Sequence, residues 1–123
     1  GIPVIANSWG AYWALHAVLR NQKSYSKILL ISPILGAVSG EGRMFKPPLS
    51  KVMARSLDQC LFPDIELTVL VGSEDWQSPS NRCEALCEAS DGNLIIADGK
   101  GHDLGREVVT DLLDKWLQGA KDD

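Results

Sequence analysis

No apolar run in this 123-residue sequence approaches the roughly 18 residues that a membrane span requires. Positive charge is not in excess either: 12 Lys and Arg stand against 16 Asp and Glu, a net charge of −4. Without a basic footprint, neither a nucleic-acid surface nor a patch for anionic lipid is expected. The N-terminus lacks a basic segment leading into an apolar stretch, so it does not read as a signal peptide. Cysteine is scarce and odd in number: Cys60, Cys83 and Cys87. Cys83 and Cys87 stand one helical turn apart, but no further Cys or His lies close in sequence to complete a metal site. Buried or half-buried thiols in a reducing, cytoplasmic setting are expected, with no metal and no cofactor. Repeats and low-complexity segments are also missing.

What is present fits one domain with a real core. Hydrophobic residues make up 45% and charged residues 23%, ordinary values for a globular protein. The chain opens on Gly1 and is inside an apolar strand by Pro3. So abrupt a start reads as a fragment, a processed product or a chain whose beginning is missing.

Apolar runs and helical patterns alternate along the chain. Residues 3–7 form a short apolar run ending at Ser8, a buried strand. Residues 10–21, rich in Ala, Leu and Trp, read as a well-buried helix. Residues 27–32 are a second strand, stopped by Pro33. Residues 34–64 form an irregular insert punctuated by Gly36, Gly40, Gly42, Pro47 and Pro48, with a helix within 49–61. Residues 66–71 are a third strand, closed by Gly72. Ser78 and Pro79 read as an N-cap and first helical position for a helix to about Ala89. Cys83, Leu86 and Cys87 lie on its inner stripe. Residues 93–97 are the fourth strand. In the last helix Leu104, Val108, Val109, Leu112, Leu113, Trp116 and Leu117 share a face, with Lys115 and Lys121 toward its C-terminal end. Near-continuous apolar strands alternating with helices predict a three-layer α/β/α domain over 1–123, with a parallel sheet of about four strands.

Ala6-Asn7-Ser8-Trp9-Gly10 has the small-x-Ser-x-Gly pattern of a nucleophile elbow, set between a strand and a helix. Such a turn holds its serine in a strained backbone conformation, and strand and helix crowd around it. A side chain larger than methyl at position 6 or 10 is expected to clash. The elbow also puts Ser8 at a helix N-terminus, where the dipole favours developing negative charge. The Trp9 backbone N–H is then one donor to an oxyanion.

From Gly1 to about Leu117 the chain resembles the C-terminal half of an α/β-hydrolase. In that family the acid follows a strand in a Gly-x-x-Asp-x-x-x-Pro turn, matched here by Gly72, Asp75 and Pro79. The family's histidine follows the last strand in a Gly-His pair, matched by Gly101-His102. The order Ser, Asp, His is also the family's. The resemblance implies a triad of Ser8, Asp75 and His102, and hydrolysis of a small ester or thioester through an acyl-enzyme. It also implies that residues 34–64 stand where the family carries its cap.

Rival assignments remain open on the sequence. Glu74 and Asp98 are also carboxylates near strand ends, and Asp103 reads as a cap for the last helix. His16, in mid-helix, reads as structural. Trp9 and Trp76 either line the substrate pocket or pack, and Met44, Phe45 and Leu49 are candidates for substrate contact.

The family sheet has eight strands and this chain supplies the last four. The resemblance therefore implies that the elbow strand is an edge, where unpaired backbone groups favour a homo-oligomer. It also implies that the second oxyanion donor is absent, a loss of roughly a hundred- to a thousandfold in rate. A serine hydrolase of reduced activity is the leading expectation. A non-catalytic oligomerisation or binding module on the same fold is the alternative.

Overall fold

The computed structural model describes residues 1–59 and 65–121; of Phe45 and residues 119–121 only the backbone is described. The main sheet holds β1 (Ile2–Asn7), β2 (Tyr25–Ile31), β5 (Glu66–Gly72) and β6 (Asn93–Ala97), all parallel, in the order β1-β2-β5-β6. The helices are α1 (Trp9–Arg20), α2 (Ser50–Asp58), α3 (Ser80–Ser90) and α4 (Arg106–Lys121). β3 (Val38–Gly40) and β4 (Arg43–Phe45) pair antiparallel as a separate hairpin. The insert thus contains the helix expected within 49–61 and, in place of purely irregular chain before it, a short hairpin. Cys60 and the end of the insert lie outside the described residues.

Residue alternation along the two central strands builds two cores. Ile28 and Leu30 of β2, with Leu67, Val69 and Val71 of β5, point to one face. There they meet Ala11, Tyr12, Leu15 and Val18 of α1, Met53 of α2, and Cys83, Leu86 and Cys87 of α3. Leu29 and Ile31 of β2, with Leu70 of β5, point to the other face and meet Leu104 and Trp116. Both faces being covered explains why these strands read as unbroken apolar runs. Each fully buried Leu or Ile contributes roughly 1.5–3 kcal/mol.

The strand order accounts for the distribution of helices. The sheet grows in one direction as the chain proceeds. Right-handed crossovers then put every connecting helix on the same face, where α1, α2 and α3 lie. Helix α4 follows the last strand and is free to cover the other face. No described helix is long and apolar enough to cross a membrane.

Several local expectations are corrected. Ser78 does not cap α3. Pro79 holds the N-cap position without a side-chain cap, and the Ser78 hydroxyl instead donates to the Pro33 carbonyl, 2.5 Å away. Asp103 accepts from the Gly105 N–H at 3.0 Å, in the turn before α4. Leu104 lies in that turn too, and Leu117 is 45% exposed, off the buried stripe. Cys83 and Cys87 are buried and free. Burial first, then the neighbouring Cys87 and Asp75, pushes the Cys83 thiol up to about 12, and burial pushes Cys87 up to about 11. Their nucleophilic thiolate forms are therefore scarce at neutral pH.

One buried cation ties α4 to the sheet. Lys27 of β2 is 8% exposed, and its Nζ donates to the Trp116 carbonyl at 2.8 Å. The same ammonium lies 4.4 Å from the Trp116 ring centroid. A charged donor to a carbonyl contributes about 1.5–3 kcal/mol, and a cation–π contact about 0.5–1 kcal/mol more. Lys27→Ala should lower stability by about 2 kcal/mol in chemical denaturation, whereas exposed Lys115→Ala should change it by less than about 0.5 kcal/mol. Equal effects at the two positions would remove Lys27 from this role.

Candidate active site

Four strands end at one edge of the sheet. β1 and β2 run in register up to Asn7 opposite Ile31, β2 and β5 up to Ile31 opposite Leu70, and β5 and β6 up to Gly72 opposite Ala97. Parallel strands aligned in this way deliver their following loops to a common rim, the crevice that open α/β sheets use for ligands. Ser8, Asp75 and His102 all lie in those loops.

Ser8 joins β1 to α1 with φ 54° and ψ −118°. Such a conformation is disfavoured for a residue with a Cβ, and hydrogen bonds on both sides hold it. The Ser8 N–H donates to the Ile31 carbonyl at 3.0 Å, and its carbonyl accepts from Tyr12 N–H at 3.3 Å. At position 10 a methyl has room: a Cβ at Gly10 would meet no described atom within 4 Å beyond its chain neighbours and the backbone of its own helix. In the described sheet β1 pairs only with β2. Ala6, half-buried, packs against the core.

The three predicted side chains come together. The Ser8 hydroxyl lies 2.6 Å from His102 Nε2, and His102 Nδ1 lies 2.8 Å from Asp75 Oδ2. The tautomer with hydrogen on Nδ1 satisfies both bonds: Ser8 donates to Nε2, and Nδ1–H donates to the carboxylate. The Asp75 side chain is fully buried, while the imidazole is 26% exposed. The other carboxylate oxygen, Oδ1, accepts from the backbone N–H groups of Gln77 and Ser78 at 2.9 and 3.0 Å. Three donors on one buried carboxylate offset the loss of its hydration.

The rival carboxylates stand elsewhere. Glu74 and Asp98 are exposed, and Glu74 takes part through its backbone, its N–H donating to the Lys100 carbonyl at 2.9 Å. His16 sits within α1, its ring 4.7 Å edge-on from Tyr12 and 5.5 Å from Trp13. Burial, then the charge of Arg20, lowers its pKa. Trp9 is 36% exposed and meets Tyr12 edge-on at 5.9 Å. Trp76 packs on the hairpin, where a Cβ at Gly40 would come 2.9 Å from its ring. Met44 and Leu49 are exposed; the Phe45 side chain lies outside what is described. A cavity of about 570 Å³ lies between α2 and α3, lined by Leu35, Ala54, Leu57, Arg82 and Leu86 among others. None of Ser8, Asp75 and His102 lines it.

Sequence reasoning missed the groups that hold the histidine loop. Gly99 N–H donates to the Ser73 hydroxyl at 2.9 Å, and the Ser32 hydroxyl donates to the His102 carbonyl at 2.9 Å. No spacing rule pairs a strand-end serine with a carbonyl seventy residues away. Gly72 did carry a signal, through its place in the Gly-x-x-Asp turn, but its reason emerges only in three dimensions. A Cβ there would lie 2.2 Å from the Lys100 carbonyl oxygen and 2.5 Å from that of Gly101.

No family profile and no curated protein matches the chain. Solved structures do. Mouse alpha/beta hydrolase domain-containing protein 10 is 15% identical with a TM-score of 0.72, over 98% of this chain and 61% of that one. The monoacylglycerol lipase of Paleococcus ferrophilus is 13% identical with a TM-score of 0.68, over 82% and 60%. Est1E of Butyrivibrio proteoclasticus, solved with ferulic acid bound, is 15% identical with a TM-score of 0.66, over 92% and 57%. The chain thus has part of the α/β-hydrolase fold, and it spans between 57% and 61% of the length of these structures.

Gly72→Ala should displace the histidine loop, because the obstacle is backbone. Overpacking of this kind costs about 1–3 kcal/mol. Thermal melting should show that loss, whereas Gly10→Ala, in open space, should leave the melting midpoint near the parent's. A parent-like midpoint for Gly72→Ala would contradict the close approach.

Proposed function

We propose that the protein is a serine hydrolase acting on a carboxylic ester or thioester of a small acid. The observation that carries this reading is the unbroken hydrogen-bonded line from the Ser8 hydroxyl through His102 to buried Asp75. In the proposed mechanism His102 Nε2 takes the proton as Ser8 Oγ attacks the carbonyl carbon. Asp75 holds the imidazole in its Nδ1–H tautomer and stabilises the imidazolium. The oxyanion lies toward the N-terminus of α1, with the Trp9 N–H as donor. Collapse of the tetrahedral intermediate transfers the proton from Nε2 to the leaving alcohol or thiol. Water, activated by the same imidazole, then releases the acid. The α/β-hydrolase fold supports this reading, as do the ester chemistry in the name of the lipase and the carboxylic acid bound to Est1E. Trp9, beside the nucleophile, and Trp76, beside the acid, are the residues we assign to the substrate pocket.

A fluorophosphonate probe should label the protein at Ser8, and a short-chain aryl ester should be turned over. Ser8→Ala should abolish both. Asp75→Asn should retain the fold and lose roughly a thousandfold or more in labelling rate, because the tautomer is no longer fixed. Labelling of Ser8→Ala equal to that of the parent would end the proposal.

A second reading, an oligomerisation or binding module, is favoured by one observation. β1 pairs only with β2 in the described sheet, and Ile2 and Ile5 on it are 61% and 46% exposed. An apolar edge strand is a template for another strand. Self-association is therefore expected at roughly tens of micromolar, and charged replacements at Ile2 and Ile5 should weaken it. A strictly monomeric parent in light scattering would remove that support.

A further inference from the structure

We infer that Ser32 is a positioning residue for His102, an inference that rests on the hydrolase reading above. Ser32 follows β2 and is 1% exposed. Its hydroxyl donates to the carbonyl of His102 at 2.9 Å. Its own N–H donates to the Leu70 carbonyl at 2.8 Å, which anchors it to β5. The preceding residue, Ile31, accepts the Ser8 N–H. Two consecutive residues at the end of one central strand therefore hold the two partners of the proposed proton transfer. The Ile31 carbonyl holds the Ser8 backbone, and the Ser32 side chain holds the His102 backbone.

The histidine loop needs such a tether. Gly99, Gly101 and Gly105 surround His102, and Gly99 and Gly105 have φ of 74° and 85°. Glycine backbones this free do not set a ring to within hydrogen-bond tolerance by themselves. Among the described residues, the acid turn ties the backbone of this loop at Gly99 and Lys100, and its remaining bond, from Asp75, is to the His102 ring rather than to the main chain. Beyond them, among the described residues, the Ser32 hydroxyl is the bond on His102's own main chain. The backbone of Ser32 supports the same conclusion. Its φ is 47°, in the left-handed region that favours glycine. Serine persists there against its backbone preference. What serine adds over glycine is the hydroxyl, and the hydroxyl is on His102.

The proton relay requires both Ser8 Oγ to Nε2 and Nδ1 to Asp75 at bonding distance at once. Asp75 alone fixes one end of the ring. With the carbonyl released, the ring can pivot on that bond and carry Nε2 away from Ser8. An error on the order of 1 Å costs up to about a hundredfold in rate.

The test compares the parent with Ser32→Gly and Ser32→Ala. Glycine relieves the left-handed strain, so Ser32→Gly is expected to melt close to the parent. Its fluorophosphonate labelling rate at Ser8 should nonetheless fall about tenfold or more. The Nδ1–H proton resonance of His102 should broaden as the ring gains freedom. Ser32→Ala should slow labelling to a similar degree despite its different backbone preference. A parent-like labelling rate in either folded variant overturns the inference, as does slowing that merely follows the unfolded fraction. If the parent itself fails to label at Ser8, the hydrolase reading is what falls. The Nδ1–H resonance still separates the two, since an unchanged line in Ser32→Gly would overturn the tether on its own.

Discussion

Everything at the candidate site depends on the register of parallel strands. In-register pairing from β1 to β6 brings the strand ends Asn7, Ile31, Gly72 and Ala97 to one rim. Residues far apart in sequence become neighbours because each follows a strand that stops at the same level. A slip of one residue would reverse the faces of the strand. It would exchange Ile28 and Leu30 with Leu29 and Ile31, which belong to different cores. The hydrophobic energy spread over both faces is spent in part on angstrom-level placement of three polar side chains.

The site is held mainly through backbone. Ser8 is fixed by its own N–H and carbonyl, Asp75 by the N–H groups of Gln77 and Ser78, and the histidine loop by the carbonyls of Lys100 and His102. The Ser78 hydroxyl on the Pro33 carbonyl ties the acid turn to the end of β2 as well. β2 thus connects to all three loops, through Ile31, Ser32 and the adjoining Pro33. A central strand, buried on both faces and paired on both edges, is the stiffest platform available. In the glycine-rich histidine loop the ring itself remains partly exposed.

The outer elements show a different balance. β1 and β6 are the sheet's edges, and exposed Ile2, Ile5, Ile95 and Ile96 lie on them. The nucleophile is carried by an edge strand, so its elbow is crowded only from the inner side. This position makes the outer edge of β1 the surface through which strand pairing would act on Ser8 most directly.

Much was legible in the sequence because it is written in local chemistry. Four apolar runs broken by Gly, Pro and Ser announce four strands, and helical spacing announces α1 and α4. Only β2 and β5 are buried, however. The run over 3–7, which reads as a buried strand, is a largely exposed edge of the described sheet, as is β6. The small-x-Ser-x-Gly pattern marks the elbow, and the turn from Gly72 to Pro79 marks, at Gly72, where a side chain must be excluded. These features are short-range, so residue type suffices to reveal them. The hairpin over 38–45 was not legible, since its three-residue strands are too short to show alternation. Ser78 looked like a helix cap, as serine before proline often does, until the Pro33 carbonyl offered its hydroxyl another partner. The roles of Lys27, Ser32 and Ser73 were equally hidden. Each is a polar side chain whose partner lies on a remote element, and no local pattern encodes such a pairing. The sequence by itself determined the four strands of the main sheet, the main helices and the identity of the three candidate residues. Only the tertiary structure decided how those residues are aimed, because a hydrogen bond depends on angstrom-scale separation and direction, and these arise when independent segments pack against one another.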